Sequence, residues 1–406
     1  MEATMRGTGQ SATPVSASLD VSPNSNPLKP AARFAFVDGL RGIAALSIVI
    51  FHIWWYEPAP RAAYRATHWI VDETLLRTKG GVQILLVISG FVIAYTLRKT
   101  WFSIAEVNSF LIRRLVRLVP AYWVALGVVI VLDYLCRNAW DLPPPFEGGV
   151  SFLRTTAHMA FLQDVFAQEA LSAGVWTLCI EMQFYIVAIF GWGIAQRFFE
   201  RPNPSEPSPS IWGLIFVFAP SAFISLLHWR TLDSTDPWVI HFLWMFFLGM
   251  ITWWTLDRTL PHELFVFVVA IASVELLFDA EWRYLNAVAL CTALAIYIAG
   301  RFDKLSVWLN WSPLQYLGRI SYSLYLIHFP VCHLLTEAGW KWFSYSPTSL
   351  QAGAILMSAV PASVLAGQVL YSFVEAPSAA WAAKLKSSQK TKHDPAPLTT
   401  AQSAPR

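Results

Sequence analysis

The chain is 406 residues long, 55% hydrophobic and only 14% charged, with 20 Trp and 27 Phe and a mean hydropathy of +0.46. A soluble domain carries about 25% charged residues, so an ordinary water-soluble fold is excluded and an integral membrane protein is indicated. The net charge of +3 is too small to argue for a nucleic-acid partner. The four cysteines, Cys136, Cys179, Cys291 and Cys332, are scattered without metal spacing or a disulfide framework.

Residues 1–32 are rich in Ser, Pro, Ala and Asn and lack an apolar core, so a disordered tail is expected, with no cleavable leader ahead of the first span. From there the apolar segments predict ten spans, near 40–57, 80–97, 118–135, 176–196, 211–228, 238–256, 262–278, 282–299, 314–338 and 350–373. The expectation is an all-α, polytopic membrane helix bundle over 33–377. A second disordered tail, 378–406, carries Lys384, Lys386, Lys390 and Lys392.

The first span reads Asp38-Gly39-Leu40-Arg41-Gly42 and runs on to His52. Eleven residues at about 100° each make three turns plus roughly 20°, so Arg41 and His52 share a face, roughly 16 Å apart along the axis. Arg41 then sits near one membrane surface and His52 well inside. A histidine within a span is a candidate functional group; the plainer reading is a ring hydrogen-bonded to a neighbouring helix. In the second span, Ser89 and Gly90 sit where helices can approach closely, which suits packing.

Between the second and third spans lies Phe110-Leu111-Ile112-Arg113-Arg114-Leu115-Val116-Arg117. In a helix these guanidinia cluster on one side, a pattern that suits a polyanion with several phosphates. It equally suits a basic anchor beside anionic lipid. The loop near 136–175, with Pro143-Pro144-Pro145 and Trp140, is long enough to cap a cavity. Trp176-Thr177-Leu178-Cys179-Ile180-Glu181 opens the fourth span from the same side, with Glu181 roughly 8 Å in and at a depth His52 can share. An acid facing His52 would fix its tautomer, and a structural salt bridge is the plainer alternative.

Residues 201–210 read as a proline-rich linker. In the ninth span Ser321, Tyr325 and His328 share a face at i, i+4, i+7. His328 is either a ligand-facing group or a histidine satisfied across helices. There is no phosphate loop, zinc spacing or nucleophile elbow, and no internal repeat of the kind transporters carry.

The order of these motifs resembles the acyltransferase-3 family of integral membrane O-acyltransferases. The resemblance rests on Asp38-Gly39-Leu40-Arg41-Gly42 with ten residues between Arg41 and His52, on Ser89-Gly90-Phe91-Val92-Ile93, and on Arg113-Arg114-x-x-Arg117-x-x-Pro120. It continues through Trp176-x-Leu178-x-x-Glu181-x-x-Phe184-Tyr185, Ser321-Tyr322-x-x-Tyr325-Leu326-x-His328-x-Pro330 and Glu375-Ala376-Pro377. One departure is Gln83, where the family often has an acid.

The resemblance implies a plasma-membrane enzyme with no permanently bound cofactor. It would move an acyl group, commonly acetyl, from cytoplasmic acyl-CoA to a hydroxyl of a carbohydrate or small-molecule acceptor. Arg113, Arg114 and Arg117 would hold the donor. His52 would act with Arg41 and Glu181 in catalysis, and His328, Tyr325 and Trp176 would contact the acceptor. Only about thirty residues follow Pro377, so the form without an appended hydrolase-like domain is expected. The alternative is a transporter or flippase of a glycan or lipid-linked intermediate.

Eighteen of the 29 Lys and Arg fall on the segments that share a side with the termini and nine on the other side, with Arg41 and Arg319 at span entrances. This bias predicts cytoplasmic termini. A reporter enzyme active only outside the cytoplasm, fused to the C-terminal tail, should therefore give no signal; a strong signal would reverse the orientation or make the span count odd.

Overall fold

The computed structural model describes residues 34–55, 69–199, 205, 207–228, 238–278 and 283–393. Among these there are helices and no strands. They are α1 (Ala35–Trp55), α2 (Trp69–Arg77), α3 (Gly81–Leu97), α4 (Ile104–Leu135), α5 (Phe152–Met159), α6 (Val175–Phe198), α7 (Ile211–His228), α8 (Leu243–Leu256), α9 (His262–Phe278), α10 (Arg283–Arg301), α11 (Ser312–Trp342), α12 (Ser349–Leu370) and α13 (Ala376–His393).

A helix answers each of the ten expected spans. Seven segments among the described residues are long and apolar enough to cross a membrane: Ala35–Trp55, Glu73–Leu97, Ile104–Trp140, Val175–Phe198, Val239–Leu256, Arg283–Arg301 and Ser349–Leu385. Two of the other three, α7 and α9, are apolar but short, and α11 is diluted by Arg319, Glu337 and Lys341. Large apolar side chains are exposed on the outer helices, including Val124, Val128 and Val131 on α4, Phe216 on α7, Val266 and Phe267 on α9, and Leu365 on α12. Such surfaces suit lipid, and helices satisfy their own backbone there.

Two boundaries differ from the sequence expectation. The third span does not begin near 118: α4 is one 32-residue helix that starts at Ile104, where the Ser103 side chain accepts from the Glu106 amide at 3.1 Å. The arginines therefore ride on the span itself. The tail expected from 378 begins as helix α13, which packs along α4. Its alanines and lysines are good helix formers, and the π-helical turn Tyr371–Glu375 joins it to α12. The expected tails at 1–32 and beyond His393, and half of the 201–210 linker, lie outside the described residues.

The centre of the bundle is α8, whose sequence is apolar on every side and almost wholly buried, as a helix surrounded by others must be. Gly90 of α3 sits directly on the backbone of Phe246, which accounts for the close packing expected there. The pair α1 and α11 forms the other main contact. A Cβ on Gly42 would stand 2.8 Å from both Gly318 N and Leu314 O, and one on Gly318 would collide with the carbonyl of Asp38. Gln315 Nε2 adds hydrogen bonds to Ala35 O at 2.7 Å and Leu309 O at 2.9 Å, tying the two N-terminal ends together. The two helices are parallel.

Gly318→Ala should force these backbones apart, since no rotamer relieves a clash with a carbonyl. A loss of about 1–3 kcal/mol is expected, read as a lower thermal transition of the purified protein. Gly353→Ala, where nothing lies within 4 Å of the added carbon, should hold or slightly raise the transition, since alanine is the better helix former.

Candidate active site

Five helices, α1, α3, α4, α6 and α11, together with Glu375 of the turn after α12, enclose a cavity of about 890 Å³, open mouth included. Arg41, Arg114, Arg117 and Arg319 line it, with Glu181 and Glu375 opposite in charge. Among the described residues, Arg41, Arg114, Arg117 and Arg319 make no hydrogen bond or ion pair, and Arg117 Nε is buried without a partner. Arg114 lies over the rings of Phe110 (5.6 Å) and Tyr185 (5.0 Å), which positions it without neutralising it.

The two acids are held by hydroxyls. Glu181 accepts from Ser89 Oγ at 3.0 Å and from the Tyr185 hydroxyl. Glu375, 4% exposed, accepts from Ser323 Oγ at 2.5 Å and from the Ser323 amide at 3.2 Å. The carboxylates and the guanidinia thus face one space without quenching each other.

The far end of the cavity is closed by Tyr325, whose hydroxyl donates to Gly174 O at 2.7 Å and stands 2.5 Å from Thr177 Oγ. Gly174 has φ +86°, and a Cβ there would stand 2.7 Å from that hydroxyl, so only glycine fits this corner. Beyond Tyr325, by about one helical turn, His328 meets His52: His328 Nε2 lies 3.0 Å from His52 Nδ1.

Several sequence-derived assignments change here. Glu181 was expected beside His52; the structure pairs it with Ser89 and Tyr185, and His328 takes the place beside His52. His328 is 0% exposed and does not line the cavity, so of its two readings it has the one satisfied across helices. Trp176 packs against Phe242 with centroids 5.6 Å apart and is not part of the cavity lining. Arg113 turns from the cavity to Ser109, one turn back, because it is rotated about 100° from Arg114. Arg41, Arg114, Arg117, Glu181 and Tyr325 do line one space. The sequence reading gives Ser89 a packing role, places Ser321 on the face of Tyr325 and His328, counts Arg319 for its charge, and carries Tyr185, Tyr322 and Glu375 only as motif letters; all six line the cavity.

The loop after α4 reaches this site through Gly174. It is built around Arg154, buried and donating to four carbonyls, of Glu147 (2.7 Å), Gly149 (2.8 Å), Glu169 (2.9 Å) and Ala170 (3.1 Å). Beside it His158 Nδ1 donates to Arg154 O at 2.8 Å, and Nε2 accepts the Leu171 amide at 3.0 Å. Burial holds the His158 imidazole below its ordinary value.

The family model described as Acyltransferase domain matches residues 34–368. A provisionally named O-acetyltransferase of Staphylococcus aureus (strain COL) is 27% identical over 327 residues, covering 73% of this chain and 50% of the relative. A provisionally named membrane-bound transacylase of Komagataeibacter xylinus, BcsY, is 27% identical over 341 residues, covering 75% of this chain and 74% of that one. Peptidoglycan O-acetyltransferase OatA of Listeria monocytogenes is 23% identical over 335 residues, covering 74% and 49%. The chain thus spans about half the length of the staphylococcal and listerial relatives. No solved structure matches it.

Because the native His158 is depressed, its neutral form contributes stability above the ordinary histidine value of about 6.5. That contribution is lost as pH falls below this point. The protection factor of the amides in the peptide carrying Leu171, observed exchange divided into its pH-corrected intrinsic rate, should therefore fall between pH 7 and 5. Asp164, pushed up by burial, titrates with the opposite sign, so the His158→Gln variant, in which this loss of protection should vanish, isolates the histidine.

Proposed function

Since the chain belongs to the acyltransferase family whose domain spans residues 34–368, we propose that it is a membrane O-acyltransferase that takes an acyl group, acetyl first, from acyl-CoA. The acceptor is a hydroxyl of a carbohydrate. The observation that carries this reading is the set of cavity arginines, Arg41, Arg114 and Arg117, with no anion in hydrogen-bonding reach among the described residues. Three inward guanidinia without partners call for a polyanion, and the phosphates of CoA supply one. An arginine that merely anchored the helix would face the lipid headgroups rather than this cavity. Arg113, turned to Ser109, serves the donor only from outside the lining.

The arginine end of the bundle is placed at the cytoplasmic face of the plasma membrane, where acyl-CoA is made, and both termini with it. The names of the relatives, a peptidoglycan O-acetyltransferase among them, favour acetyl and a cell-surface carbohydrate. From the phosphates the pantetheine arm extends along the cavity toward Tyr325. His52 stands roughly 16 Å beyond Arg41 along α1, a span of that order. His52 then takes the proton from the acceptor hydroxyl as its oxygen attacks the thioester carbon. The carbon–sulfur bond breaks, and the leaving thiolate recovers the proton from the imidazolium, leaving ester and free CoA. General-base assistance of this kind contributes about 10²–10⁴-fold. Glu181 and Arg41 sit on the donor's path and set the charge along it.

Arg114→Ala and Arg117→Ala should each weaken binding of acetyl-CoA about 10- to 100-fold, the worth of a charge-assisted hydrogen bond. Lys at either position should restore only part, because the two-pronged geometry is lost. Titration of radiolabelled acetyl-CoA onto purified protein reads this, and unchanged binding by both Ala variants would return the arginines to an anchoring role.

A further inference from the structure

The hydrogen-bond partners of His52 and His328 fix where their protons are. His328 Nδ1 stands 2.7 Å from Tyr325 O, and a carbonyl oxygen only accepts, so this nitrogen carries hydrogen. His52 Nδ1 stands 2.9 Å from Ile48 O and carries hydrogen for the same reason. The two rings meet between His52 Nδ1 and His328 Nε2 at 3.0 Å, with centroids 4.9 Å apart. Only one neutral assignment satisfies all three distances: His52 Nδ1–H is shared between Ile48 O and the lone pair of His328 Nε2. The basic atom of His52 is then Nε2. A proton on His328 Nε2 would set two N–H groups face to face.

This pairing is built into the helix register. Gly42 meets Gly318, and ten residues later on each helix His52 meets His328, a constant offset of 276 along two parallel helices. His328 is 0% exposed, so it cannot itself touch a substrate.

We infer that His328 is the positioning residue of the base: its Nε2 holds His52 in the Nδ1–H tautomer, so that His52 Nε2 takes the proton from the acceptor hydroxyl. The inference rests on the reading of His52 as general base. As Nε2 gains that proton, the ring becomes cationic and its Nδ1–H bond to His328 strengthens, so the partner acts most where charge develops. When the thiolate recovers the proton, the resting hydrogen bonds return unchanged.

The test combines kinetics with a direct view of the protons. In the full-length protein labelled with 15N-histidine in lipid bilayers, NMR should show His52, identified by loss of its signals in His52→Gln, protonated at Nδ1. A through-hydrogen-bond coupling should run from that atom to His328 Nε2. With acetyl-CoA as donor and cell-envelope material as acceptor, His328→Leu should lower kcat about 10²-fold while KM for acetyl-CoA moves less than about twofold. His328→Gln, whose side-chain oxygen still accepts, should recover most of the rate. His52 protonated at Nε2 in the wild type, or His328→Leu at full kcat, would overturn the inference. Full turnover by His52→Ala would instead sink the general-base reading, with the tautomer measurement still able to stand or fall alone.

Discussion

The close parallel contact of α1 and α11 is the constraint on which the site depends. In lipid there is little hydrophobic gain from bringing two apolar helices together, so close approach must come from small residues that let backbones touch. Gly42 and Gly318 provide it, and Gln315 pins the ends by reaching Ala35 O. A slip of one residue would rotate every side chain about 100° away from its partner. The register that seats Gly318 on Asp38 is therefore the register that sets His328 against His52. Packing energetics at one end of the pair decide hydrogen-bond chemistry some ten residues away.

The electrostatics of the cavity follow a division of labour. Buried charge is costly unless it is paired, yet Glu181 and Glu375 are bound by Ser89, Tyr185 and Ser323 rather than by the neighbouring arginines. Both acids line the same space as the guanidinia and act on them through it. The cations are thus tolerated but, among the described residues, left without hydrogen-bond partners. An arrangement tuned for stability alone would have closed these pairs. One left open for an incoming polyanion keeps them apart.

What could be read from the sequence was what one helix fixes by itself. Arg41 and His52 share a face because both lie on α1, and Arg114 and Arg117 because both lie on α4. Which arginines look inward could not be read, since rotation of α4 is set by its neighbours; Arg113, one residue from Arg114, points elsewhere. Depth was legible too, and it pointed to Glu181 on α6 as the partner of His52 rather than to His328 on α11. Depth alone cannot choose between helices. The signal that could have chosen is the equal spacing of Gly42 to His52 and Gly318 to His328, ten residues each, which only a close parallel pair would require. The helical start of the C-terminal segment was likewise written in its alanines, and was outweighed by the lysines that follow.

The two ends of the cavity therefore differ in kind. Its mouth is cationic and short of partners; beyond its far end, across Tyr325, lies a histidine pair whose inner hydrogen bonds are mutually satisfied. A carboxylate beside His52 would hold the imidazolium strongly and slow the return of its proton. A neutral histidine orients the ring as well as a carboxylate does but grips the cation less, because its bond gains only from one charge rather than two. In a reaction whose leaving group is a thiolate, a base that gives its proton back easily suits the second half of the step as well as the first. On this view the separation of charge from base is what lets the cavity bind a polyanion while the acid–base group stands apart from its charges, beyond Tyr325.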